Sequence, residues 1–243
     1  MENTIKNKIF QIKHFGYLAF ILLLISCSVV YAADKSGLKQ GDVTTDGLTV
    51  VKSDRFTEIQ IKKNVDWSQY TKYEISPVEV SFRKNWKQDY NRNQQILSQQ
   101  VTDKDMTRIR KTMAKIVYEE LNKALQKKGD LTKTDHADSK TLLFKPRIIN
   151  LDIYAPDVGN SPSISRSYVR QAGKATLFLE VYDAVSGEIL GRWVDTREDP
   201  DRGFFEWANR VTNADRTRLV VRSWANRLVE GLDNLEAGKY IKK

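Results

Sequence analysis

One cysteine, Cys27, and two histidines, His14 and His136, are all that the 243-residue chain contains of those two residue types. A lone cysteine allows no internal disulfide, so the fold must hold by its own core. Zinc sites built from His and Cys, and Cys-His nucleophiles, lack the residues to form in a mature chain that has shed His14 with its leader. His136 lies in the polar run Lys133-Thr-Asp-His-Ala-Asp138 with no nucleophile-elbow motif nearby, and it reads as a solvated loop histidine. Phosphate-cradling loops are missing too. Gly173-Lys174 is followed by Ala175 and has no glycine five positions earlier, so it fails the P-loop pattern at both ends.

Acidic chemistry is harder to dismiss, because carboxylates are plentiful. In Asp195-Thr-Arg-Glu-Asp-Pro-Asp-Arg-Gly203, the positions Asp199, Asp201 and Gly203 imitate part of a calcium loop. The terminal Glu is missing and Arg197 and Arg202 neutralise the stretch, so it reads as a charged turn. A glycan-cleaving enzyme would need two carboxylates at a defined separation, one with a raised pKa, and no pair stands out. No cofactor, metal or catalytic residue is expected.

What the chain does have is an address. Lys6, Lys8 and Lys13 precede the apolar run Phe15 to Ile25, which is too short for a comfortable permanent membrane span and reads as an export leader. Two cleavage points compete. Leu24-Ile25-Ser26-Cys27 resembles the bacterial lipobox, which would leave Cys27 acylated at the new N-terminus and tether the protein to a membrane, the outer membrane included. Val30-Tyr31-Ala32 fits signal peptidase, which would cut before Ala33 and discard Cys27. Either way the protein is expected in the periplasm.

The full chain carries +9, and losing three lysines and one glutamate with the leader leaves +7. A basic surface in that compartment meets anionic headgroups, peptidoglycan carboxylates or an acidic envelope protein, and nucleic acid is not an expected partner. The organisation expected is a leader over 1–32 (or 1–26 for a lipoprotein), a linker over 33–55, one domain over 56–238 and a basic tail over 239–243.

Within the domain, Tyr73 to Phe82 alternates as a strand with Pro77 near an edge, and the polar stretch Lys84 to Gln100 reads as a long loop. Met106, Ile109, Met113, Ile116, Val117, Leu121, Ala124 and Leu125 recur at helical spacing from a cap at Thr102 or Asp103 to Gly129. Thr141 to Tyr154 is a long apolar strand; Ala175 to Tyr182 and Glu188 to Asp195 form a hairpin around Asp183-Ala-Val-Ser-Gly187. A last helix is expected from Thr212 or Asn213 to Leu235. This order predicts an α+β fold: a mostly antiparallel sheet of about four strands packed against two long helices in a single domain.

The best candidate contact surface interleaves basic and aromatic side chains: Arg83, Lys84, Trp86, Lys87, Tyr90 and Arg92, joined by the Ser-rich loop Ser161 to Ser167. The plainer alternative puts Phe82 and Trp86 in the core with the charges facing water.

Several stretches together carry a family resemblance: Asp46-Gly-Leu48, Val65-Asp-Trp-Ser-Gln-Tyr70, Pro77-Val-Glu-Val80 with Trp86, Thr102 through Asp105, Ile148-Ile-Asn-Leu151 with Ala155-Pro-Asp157, and Leu179-Glu-Val-Tyr-Asp183 with Gly187. Trp207-Ala-Asn-Arg-Val-Thr-Asn213, Trp224-Ala225 and Leu232-Asp233 extend it over nearly the whole mature chain. The chain resembles a family of bacterial envelope proteins catalogued as domain of unknown function 3313. Many members of that family resemble lipoproteins, and it brings no established activity or catalytic residue. The element order is also similar to small α+β domains of envelope-assembly and peptidoglycan-synthase activator lipoproteins, an analogy of fold that carries no function. The expectation is an exported, non-enzymatic binding or assembly module. Two alternatives stand beside it: a carboxylate-dependent enzyme acting on peptidoglycan or another envelope polymer, and a carrier of a small apolar ligand.

Overall fold

Two long amphipathic helices close over one face of a sheet whose central strands are β6 (Thr141–Ile153), β8 (Gly173–Asp183) and β9 (Ile189–Glu198). The structure is a computed structural model that describes residues 37–158 and 167–240, all within the compact unit Ala33–Lys243. Cys27, Val30, Ala32 and Ala33, the Ser-rich loop up to residue 166 and tail residues 241–243 lie outside the described residues.

The remaining strands are β1 (Thr49–Val51), β2 (Glu58–Ile61), β3 (Lys72–Ile75), β4 (Glu79–Phe82), β5 (Thr132–Lys133), β7 (Tyr168–Val169) and β10 (Glu206–Trp207). Eight strands form one sheet in the order β1-β2-β9-β8-β6-β3-β5, with β4 also pairing β6; β7 and β10 make a separate two-stranded ribbon. The helices are α1 (Trp86–Arg92), α2 (Asp103–Lys128) and α3 (Arg210–Glu236).

The fold is α+β, but the expected sheet of about four mostly antiparallel strands against two helices is wrong in size and in kind. The sheet is large and mixed, and there are three helices. The β1-β2-β9-β8-β6 run is antiparallel, whereas β3 and β4 pair β6 in parallel and β5 pairs β3 in parallel. The cause is connectivity. Between β4 and β6 the chain runs through the 26-residue α2, and a helix inserted between two strands of one sheet makes a crossover that returns the second strand parallel to the first.

Short strands escape a periodicity argument. Glu58–Ile61 offers only Ile59 and Ile61 to the core, and β1 falls inside the stretch read as linker, where Leu48 and Val50 are nevertheless buried. The strand read as continuous from Tyr73 to Phe82 is broken at Ser76–Val78, where Pro77 removes a ladder donor. Within the stretch read as loop, α1 forms about two turns behind Asn85, which takes the left-handed conformation.

α2 begins at Thr102 in a reciprocal capping box with Asp105 and ends at left-handed Gly129. α3 starts earlier than its apolar stripe indicates: Asn209 is the cap, its side chain accepting from the amides of Val211 and Thr212 while the Thr212 hydroxyl accepts from the Asn209 amide. Both helices bury one stripe. Met113, Ile116, Val117, Leu121 and Leu125 of α2 meet Val221, Trp224, Leu228 and Leu232 of α3 over Leu177, Leu179 and Val181 of β8. Each such side chain contributes roughly 1.5–3 kcal/mol by leaving water.

Candidate functional site

Segment 82–92 turns inward at its aromatic residues. Trp86 is only 2% exposed, stacks on Phe82 at 4.4 Å and on Tyr90 at 6.0 Å, and donates its indole N–H to the Ile153 carbonyl at 3.2 Å. Arg110 of α2 caps the stack, 5.3 Å from the Phe82 ring. Of the basic side chains, Arg83 pairs with Asp152 and Asp89, Lys87 with Asp103, and Arg92 with Asp89. The structure thus takes Trp86 out of the expected contact surface and leaves Lys84 and Arg92 exposed. The stacking explains it: aromatics four residues apart on α1 share a face, and that face meets the sheet edge at Phe82.

Five carboxylates are buried among the described residues, and each faces an arginine. Asp105 meets Arg108 at 2.9 Å, Glu120 meets Arg222 at 2.9 Å, Glu180 meets Arg192 at 2.7 Å, Asp195 meets Arg197 at 2.7 Å and Asp199 meets Arg216 at 2.7 Å. Asp195 further accepts from the Trp224 indole at 2.9 Å and from the amide and hydroxyl of Thr57. An adjacent guanidinium satisfies a buried carboxylate through an ion pair and hydrogen bonds. Arg222 holds Glu120 below the usual carboxylate range. At Asp46, burial pushes the carboxyl up, but Arg192 and Thr44 override it and leave it lowered.

The acidic stretch from Asp195 to Gly203, read as a charged turn, is used internally. Asp199 accepts from Arg216 and from the Ala172 amide, and Asp201 from Arg170 and the Gly203 amide. A second acidic group, Asp130, Asp233 and Glu236, surrounds the buried ammonium of Lys128, which pairs with all three across the ends of α2 and α3. His136 sits in an exposed turn, its amide bonded to the Thr134 hydroxyl.

Between α2, α3 and the end of the sheet run two adjoining apolar grooves, of about 70 and about 130 Å³, that share Met113, Ile153, Asn213 and Thr217 and open to solvent. They are smaller than ligand pockets of a few hundred Å³. Among the described residues, no helix is long and apolar enough to cross a membrane.

Among the described residues, the largest exposed aromatic group belongs to the ribbon. Tyr168 and Trp207 are cross-strand partners, 52% and 44% exposed, and Phe204 and Phe205 on the preceding turn are 56% and 68% exposed. Exposed aromatics gathered on one short element are unusual for a surface that meets only water. The ribbon is held firmly. The buried Arg216 guanidinium donates to Glu206 at 2.8 Å, to Asp199 and to the Arg170 carbonyl at 3.1 Å, tying both strands to α3. Sequence reading named Trp207 only within the family resemblance and passed over Tyr168, Phe204 and Phe205, because neither two-residue strand has a period to detect; the pair Phe204-Phe205 beside Trp207 was the available cue.

Residues 40–228 match the family model described as "Protein of unknown function (DUF3313)". The chain belongs to that family. No curated protein matches it. Among solved structures, this DUF3313 chain is similar to the PelC dodecamer from Paraburkholderia phytofirmans, at 9% identity, covering 68% of this chain and 96% of that one, with a TM-score of 0.33. It is also similar to a PDZ domain protein from Parabacteroides distasonis, at 11% identity, 70% and 34% coverage and a TM-score of 0.36. A DUF330 protein from Xanthomonas campestris is similar at 10% identity, 53% and 66% coverage and a TM-score of 0.30. Likeness at this level carries no argument about what the DUF3313 chain does.

Proposed function

We propose that this protein is exported to the bacterial envelope and acts there as a non-enzymatic binding module that presents the β7–β10 ribbon to an envelope protein partner. The observation that carries the reading is the ribbon: four aromatics stand exposed on an element pinned by a buried ion network. Rigid aromatics give large contact area at low conformational-entropy cost, which is why they dominate binding hot spots. The arginine beside each buried carboxylate supports a role without acid–base chemistry, and the small open grooves weigh against carriage of an apolar ligand. The leader supplies the compartment.

Crosslinking of the natively exported protein in intact cells, followed by mass spectrometry, tests the reading. A reproducible envelope-protein adduct that disappears in Phe204→Ser/Phe205→Ser is the expected result. An adduct pattern unchanged by that double substitution removes the ribbon as the contact. Release of soluble fragments from sacculi by the purified protein overturns the non-enzymatic assignment.

A further inference from the structure

At the other end of α3 from the ribbon lies a cleft of about 360 Å³ between the β1–β2 hairpin and the residues that follow the helix. Four lysines line it, Lys52, Lys62, Lys63 and Lys239, and among the described residues no carboxylate does. Lys62 pairs with Glu188 at the rim, whereas Lys52, Lys63 and Lys239 have no ion pair among the described residues. The walls are fixed by backbone: the Lys62 amide donates to the Leu190 carbonyl at 2.9 Å, and Tyr240, beside Lys239, packs against the core. Three lysines without a carboxylate partner around one concavity attract an anion.

Position says which anion. Gln40 and Gly41, the stretch through which the chain reaches the domain from its leader, line the same cleft. A chain tethered through Cys27 thus has its lysine cleft at the tethered end, within a short linker of the bilayer. The tether keeps the domain near the bilayer, and a basic site beside it adds electrostatic attraction to anionic headgroups.

We propose that Lys52, Lys62, Lys63 and Lys239 form a binding site for the phosphate of an anionic lipid headgroup, which seats the tethered end of the domain on the membrane. The site is separate from the ribbon, so its failure leaves the partner reading above untouched.

The test uses the chain from Ala33 to Lys243, which carries neither leader nor acyl chains, and vesicles of phosphatidylethanolamine with or without phosphatidylglycerol. Sedimentation should show binding that requires phosphatidylglycerol and weakens with salt. Near a membrane surface each lysine is worth about a fivefold change, so Lys52→Gln/Lys63→Gln should bind roughly 25-fold more weakly. A pair with the same charge loss elsewhere, Lys84→Gln/Lys104→Gln, should bind as the parent does. Equal loss in both pairs would reduce the effect to net charge and overturn the site. So would absence of vesicle binding, or binding of free glycerol phosphate by a protein that ignores vesicles.

Discussion

Arg192 of β9 and Glu180 of β8 stand opposite each other on the sheet face turned away from α2 and α3, the guanidinium donating to one carboxylate oxygen at 2.7 and 3.0 Å. Around them Gln60 accepts from Arg192 at 2.6 Å, Asp46 accepts from it as well, and Arg147 and Tyr182 donate to the second Glu180 oxygen. Phe178 lies beneath, with the two guanidiniums 4.4 and 5.5 Å from its ring. A face that would otherwise need an apolar cover is closed by a polar network in which each member satisfies another.

Removing one partner strands the rest. Arg192→Met should cost about 3–5 kcal/mol, because one Glu180 oxygen and the Gln60 side-chain oxygen are left buried without the donor they share. Glu180→Met/Arg192→Met should cost less than the single substitution, since the charges that then lose a partner, Asp46 and Arg147, are each about one-third exposed and keep their access to water. Urea unfolding of both variants checks this; a double variant less stable than the single one would contradict it.

Gly173 opens β8 with φ of +155°, and a Cβ there would lie 2.2 Å from the Asp152 carbonyl oxygen. The contact arises because β6 bulges between Ile149 and Asp152, with Asn150 in the left-handed region, and brings its backbone against β8. Gly173→Ala should cost about 3 kcal/mol. A thermal or urea midpoint that does not move would mean that the bulge relaxes freely.

Trp86 separates the two readings of segment 82–92. As a core residue it should cost about 3–5 kcal/mol when changed to Ala. Lys84→Ala and Arg92→Ala, both at exposed positions, should stay within about 0.5 kcal/mol of the parent. Unfolding curves decide it: a Trp86→Ala protein as stable as the parent would return the residue to the surface.

That segment also shows where sequence reading reaches its limit. The stripe from Met106 to Leu125 and the hairpin around Gly187 were legible because a long period or a turn motif repeats the same instruction many times. Trp86 carried no such redundancy: the mix of Arg, Lys, Trp and Tyr suits a contact surface and a snorkelling core edge equally well, and only the approach of Phe82 and Ile153 decides between them. Parallel pairing of β3 with β6 was implicit in the strand-helix-strand order, yet alternation within a strand says nothing about its direction. Paired charges such as Arg192 and Glu180 sit 12 residues apart in sequence and meet only through strand register.

Acid should loosen the loop before β6. Lys72 donates to Asp138 at 2.6 Å, and with the Thr141 hydroxyl and Lys140 amide it brings the Asp138 carboxyl down to about 2 from an ordinary 3.8. A carboxylate depressed by folding stabilises the native state fully above its unfolded value, and the contribution fades as pH falls from about 4 to about 2. Asp138→Asn should therefore flatten part of the drop in urea midpoint over that window. It should leave the slope above about pH 5 unchanged. A variant with the parent's full acid sensitivity would show that the pair contributes nothing.

Arg216 decides whether the ribbon is an arm or a fixed surface. Its guanidinium holds Asp199, Glu206 and the Arg170 carbonyl, whereas the ribbon itself contains only two residue pairs, Glu206 with Val169 and Trp207 with Tyr168. With so little of its own to hold it, the ribbon should open locally in Arg216→Met. The amide of Ala208, bonded to the Ser167 carbonyl at 2.8 Å, should lose about 3 kcal/mol of hydrogen-exchange protection while the β8–β9 ladder keeps its own. The ribbon-dependent adduct should weaken in the same variant, because aromatics on a mobile arm must be ordered again on binding. Loss of protection spread evenly over β8, β9 and the ribbon would instead make Arg216 a strut of the whole domain, with no special part in presenting Trp207.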